Sequence, residues 1–108
     1  MLHQEGEAPP PEGARNPIPK DHHVLLENDR VRVLEIRIPP HDKTDMHWHP
    51  PCVVYQISEA KVRMSFREGT SREVEAKPGS TTWSNGGWHQ VENLGSTDDY
   101  GIIVELKK

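Results

Sequence analysis

The stretch from Val31 to Ile38 is rich in β-branched residues, and Leu34, Ile36 and Ile38 recur at every second position. That period belongs to an extended chain, whose successive side chains point to opposite faces. A strand is therefore expected there, ended by Pro39 and Pro40, which cannot donate to a ladder. Lys61–Arg67 repeats the pattern more cleanly: Val62, Met64 and Phe66 alternate with Lys61, Arg63, Ser65 and Arg67. Shorter β patterns cover Arg72–Ala76, His89–Glu92 and Tyr100–Leu106. Turn signals separate them at Glu68-Gly69-Thr70, Lys77-Pro78-Gly79, Asn85-Gly86-Gly87 and Gly95 to Asp99. No segment carries a convincing helical stripe. Many short strands at regular spacing predict an all-β sandwich or barrel.

Proline redraws the beginning of the chain. Five of the ten prolines (Pro9, Pro10, Pro11, Pro17 and Pro19) lie in the first twenty residues, where large apolar side chains are nearly absent. Residues 1–20 are expected to form an extended or disordered arm, and residues 21–108 a single barrel domain. The net charge of −4 and the lack of any basic cluster beyond two residues argue against a nucleic-acid partner. No run approaches the roughly 20 apolar residues that span a bilayer. The first residues lack the basic and apolar regions of a secretory signal, and the single Cys52 excludes an internal disulfide. A cytoplasmic location is expected.

Candidate chemistry lies in the histidines, seven in all. In His47-Trp48-His49, strand geometry points both imidazoles to one side and Trp48 to the other. Two neutral imidazoles side by side suit a divalent first-row metal. The same pair also reads as ordinary exposed or hydrogen-bonded histidines, and spacing alone does not decide between the two.

The surroundings add to this. The chain resembles the cupin superfamily at both of its motifs. Against G(X)5HXH(X)3-4E(X)6G, His47 and His49 fill the histidine slots, with His41 and Ala60 in the glycine slots. Against G(X)5PXG(X)2H(X)3N, Gly79, Gly87, His89 and Asn93 match. Asn85 stands in for the proline, and the spacing before His89 is one residue short. The matches cover 41–60 and 79–93, about a third of the chain. The resemblance implies a double-stranded β-helix, a jelly-roll barrel, with the two motifs facing each other and His89 near His47 and His49.

It also implies one divalent metal ion per chain, held by His47, His49 and His89. The glutamate of most metal cupins is replaced by Val53 or Val54, of which Val53 has the inward parity if no bulge intervenes. This is similar to the three-histidine cupins, among them the β-diketone-cleaving dioxygenases. Three neutral ligands leave the full charge on the ion, favouring anionic, chelating substrates. The leading expectation is an Fe(II) dioxygenase acting on a small enolisable carbonyl compound such as a β-diketone. The alternatives are a metal-binding sensor, a Zn-, Mn- or Ni-dependent lyase or isomerase, or a non-catalytic assembly domain. A homodimer is expected, since small cupins bury sheet edges or outer apolar faces against a partner.

Other residues have plainer readings. Tyr55 shares the ligands' strand parity and is expected beside the metal, with a core aromatic as the alternative. His41 is read as a loop residue rather than a distant ligand or proton shuttle, and His22 and His23 as aids to solubility or local packing. Trp83 and Trp88 would line the pocket mouth or pack at the barrel edge. Trp48 and Cys52 have outward parity. Asn93 is expected to make an Asx-type bond before the Leu94-Gly95 turn.

Overall fold

The computed structural model describes residues 18–107; most of the expected arm lies outside them. Among the described residues nine strands follow one another: β1 (His22–Glu27), β2 (Val31–Ile38), β3 (His47–His49), β4 (Cys52–Gln56), β5 (Ala60–Phe66), β6 (Ser71–Ala76), β7 (Thr81–Ser84), β8 (Gly87–Asn93) and β9 (Asp99–Leu106). They form two antiparallel sheets, ordered β1-β2-β9-β4-β7 and β3-β8-β5-β6. The all-β expectation is met, with β2 spanning the stretch read from its alternation. Among the described residues there is no helix long and apolar enough to cross a membrane.

The facing sheets bury the alternating residues. One core cluster gathers Leu34, Ile36, Cys52 and Ile103, with Val24 and Val54 against it. A second gathers Ile38, Ala60, Val62 and Val91. Register builds these clusters: Val24 pairs with Leu34, Leu34 with Ile103, and Ile103 with Val54. The opposite face carries its own apolar row, Leu26, Val33, Val104, Val53 and Trp83 in successive pairs. Leu26 and Trp83 are more than half exposed there.

Pro50 and Pro51 separate β3 from β4, and the two strands belong to different sheets. Parity is therefore not carried across them. Cys52 points inward at 3% exposure, while Tyr55 is 46% exposed on the outer face. Val54 rather than Val53 packs on the core. The expectations for Tyr55, Val53 and Cys52 each assumed an unbroken strand, and the proline pair reverses all three.

Asn93 closes the turn that follows β8. It is buried, its Nδ2 donates to the Ile38 and Thr97 carbonyls, and its Oδ1 accepts from the Gly95 N–H. This is the turn-closing role expected of it. His41, in the first glycine slot, has φ 68° and is exposed. The left-handed backbone explains why glycine suits that slot.

Candidate metal centre

Histidines from three strands meet where the open edges of the two sheets approach. β3 presents His47 and His49 on one side and pairs with β8, setting His47 directly opposite His89. The ring centroids of His47 and His49 are 4.7 Å apart, those of His47 and His89 4.7 Å, and those of His49 and His89 5.2 Å. His47 Nε2 and His89 Nε2 are separated by 3.1 Å. Two nitrogens bound at right angles to one ion, each about 2.1 Å from it, would be about 3.0 Å apart. The three residues named from the sequence are thus brought together.

His22, from the start of β1, also enters the cluster. Its ring lies 5.3 Å from that of His47 and 5.6 Å from that of His49. One ring nitrogen from each of His22, His47 and His49 lies within 4.8 Å of the others. The expectation that His22 serves solubility or local packing is corrected by this placement. No motif pointed to it, because its partners are about 25 residues away in the other sheet, a separation only tertiary packing closes.

Hydrogen bonds determine which nitrogen His22, His47 and His49 offer. His47 Nδ1–H donates to the Asp45 carbonyl at 2.7 Å, and His22 Nδ1–H to the Lys20 carbonyl at 2.8 Å. His49 Nδ1–H donates to the Glu105 carboxylate. Each acceptor lacks a proton of its own, so Nδ1 carries it and Nε2 keeps its lone pair. His49 Nε2 is buried with no hydrogen-bond partner. An orphaned buried acceptor is costly unless something electrophilic meets it. Imidazoles held at Nδ1 by carbonyl or carboxylate, with Nε2 turned free, are the arrangement that supports metal ligands.

Burial keeps these rings neutral. His22 is lowered to about 4, chiefly by desolvation. His47 is lowered by the same cause, and His49 and His89 lie well below the ordinary histidine value, with repulsion from neighbouring imidazoles adding to burial. Neutral rings are the form that binds a cation.

Glu105 and Arg32 complete the surroundings. Both are almost fully buried, and Arg32 Nε–H donates to Glu105 Oε1 at 2.8 Å while the other carboxylate oxygen holds His49. The sequence carried an unused signal for this pair. Arg32 has the parity of Leu34 and Ile36, and Glu105 that of Ile103, so opposite charges stand on the inward faces of two apolar strands. Cys52, paired with Glu105 across β4 and β9, is pushed up to about 12, mainly by burial. Tyr55, on the outer face, is not part of the cluster. Trp88 lies under the Arg67 guanidinium at 4.1 Å, and Trp83 is exposed on the far sheet. A separate depression lined by Glu59, Lys61, Glu75 and Thr97 contains none of these histidines.

The sequence matches no family model and no curated protein. Solved structures do match. A cupin domain from Bordetella pertussis is 28% identical over 89% of this chain and 100% of its own, with a TM-score of 0.75. A Klebsiella pneumoniae protein with a double-stranded β-helix domain is 19% identical, covering 99% and 89%, with a TM-score of 0.66. A polyketide cyclase from Streptomyces resistomycificus is 20% identical, covering 100% and 79%, with a TM-score of 0.60.

Proposed function

We propose, for a chain that belongs to the cupin superfamily, that His47, His49 and His89 hold one divalent metal ion and that the site acts on a small enolisable carbonyl compound. The observation that carries this is the buried Nε2 of His49, left without a partner while Glu105 occupies its Nδ1. The ion's contribution, when bound, is a positive charge that polarises a carbonyl and, as Fe(II), electrons for reaction with O2. The protein's part is to hold that charge uncompensated. The histidines are neutral, and the buried Glu105 carboxylate beside them is matched by Arg32. A bound dication would therefore keep its charge for an enolate, and the surrounding burial would strengthen that attraction. Asp45 and Glu105 hold the Nδ1 protons of His47 and His49, which prevents these two rings from turning or changing tautomer.

The finer form of the proposal is an Fe(II) dioxygenase cleaving a β-diketone. Loading the protein with Fe(II) and recording oxygen uptake across a panel of β-diketones tests it. Uptake dependent on His49 is expected; none across the panel, with iron bound, overturns it. A second reading takes a redox-inert ion, such as zinc, acting on the carbonyl without O2. The all-nitrogen, neutral donor set favours it, since such a set suits zinc and nickel as well as iron. The similar folds include that of a polyketide cyclase, and one fold hosts many chemistries. Turnover of the panel with zinc under nitrogen would select this reading.

The proposal includes a homodimer. The outer row of Leu26, Val33, Val104, Val53 and Trp83 is wide and apolar for a surface left in water. A second copy covering it would be lost in Trp83→Glu. Sedimentation equilibrium is expected to give a dimer for the wild type and a monomer for the variant; a wild-type monomer overturns this part.

A further inference from the structure

We propose that His22 is a fourth nitrogen ligand, supplied by an edge strand of the opposite sheet, so that the metal pins β1 to β3. This rests on the metal-binding proposal for His47, His49 and His89 and deepens it. His22 stands on the inward row of β1, opposite Ile36 of β2. Its ring lies against both His47 and His49, and a ring nitrogen of each falls within the same 4.8 Å. Nitrogens on opposite sides of one ion would be about 4.2 Å apart, so sub-ångström side-chain adjustment brings all three onto it. The Nδ1–H of His22 is held by the Lys20 carbonyl, as that of His47 is held by Asp45. Both rings therefore keep the same nitrogen free.

The local chain is built to aim this residue. His22 N–H donates to the Pro19 carbonyl, closing a tight turn, and Asp21 sits at φ 67°. Aspartate is among the few side chains that tolerate that backbone. Lys20 Nζ reaches Asp42 at 2.7 Å, tying the turn to the loop that leads into β3. Beyond the turn, β1 is a poorly buried strand whose only ladder among the described residues is to β2. No ladder joins β1 to β3 among the described residues. A ligand on each makes the ion a cross-link between two sheets at their open side.

The fourth imidazole also narrows the substrate. Four histidines on a six-coordinate ion would leave two positions, enough for one bidentate oxygen chelator such as an enolised diketone.

Co(II) is the probe, with wild type, His22→Ala, His22→Gln and His47→Ala compared. Calorimetry and elemental analysis give affinity and stoichiometry, the visible spectrum reports the donor set, and hydrogen exchange reports the protection of β1. One ion per wild-type chain is expected, with slower exchange across 22–27 on loading. Both His22 variants should lose at least about tenfold in affinity, show a changed spectrum, and lose the metal-induced protection of β1. Affinity, spectrum and protection equal to wild type in both variants overturn this inference alone. No Co(II) uptake by the wild type overturns the underlying metal reading as well. The wild-type exchange experiment stands even where a variant fails to fold: loading that leaves β1 unprotected overturns the cross-link.

Discussion

Glu105→Gln removes one charge from a buried ion pair while nearly conserving shape. Oε1 accepts from Arg32 Nε–H at 2.8 Å, and Oε2 accepts from His49 Nδ1–H. Both side chains of the ion pair are at most 4% exposed. Unit charges at that distance attract by about 6 kcal/mol at an effective dielectric of ~20, most of it offset by the cost of leaving water. Removing one partner of such a pair costs about 3–5 kcal/mol, because the other charge stays buried. The amide adds a second effect. The ion pair is lost either way, and the new NH2 must face a donor: if it faces Arg32 the hydrogen bond there is lost as well, and if it faces His49 the ring shifts its proton to Nε2. The proton then occupies the ligating position, and metal affinity should fall about 10–100-fold. Urea unfolding of metal-free protein measures the first effect, and zinc titration with nitrogen-15 NMR of the imidazoles the second. Arg32→Met with Glu105→Leu should recover most of the stability but not the affinity, which separates charge burial from ligand orientation. A loss below about 1 kcal/mol with unchanged affinity and an unchanged His49 tautomer would refute the coupling of Glu105 to both partners.

Three further outcomes follow from single contacts. Gly86→Ala should destabilise by at least about 2 kcal/mol in thermal melts, since φ is 86° and the new Cβ meets the His49 carbonyl and Pro50 C at 2.7 Å; a melt within a degree of wild type contradicts it. Cys52, with its thiol pushed up to about 12 and 3% exposure, should resist a thiol reagent at neutral pH and react once urea unfolds the chain. Native labelling at the unfolded rate contradicts that. Metal-free protein should lose stability as pH falls from about 6.5 toward 4, because the unfolded histidines take protons the buried ones refuse. His22, lowered to about 4, contributes about 3 kcal/mol across that window. Flat stability between pH 7 and 4 would count against neutral burial of the cluster.

Alternation along the chain was enough to place the strands that bury one face. Leu34, Ile36 and Ile38 were readable as core, and Val62 and Phe66 likewise, because a period of two is the mark of an extended chain with one side in the interior. The same geometry put His47 and His49 on one side, since residues two apart on a strand must share it. The two cupin motifs carried His89 to them by resemblance, and β3–β8 pairing carries it there in space. Parity failed at Pro50-Pro51, where the chain changes sheets, and Tyr55, Val53 and Cys52 were misassigned together for that one reason. What surrounds the histidines depended on the packing of one sheet against the other. His22 and Glu105 reach them from β1 and β9, strands of the opposite sheet, and such packing has no period along the chain. The valines in the glutamate slot suggested a site of neutral ligands. The fold keeps that neutrality but gives it a different basis: a fourth imidazole against the cluster and a carboxylate balanced by Arg32.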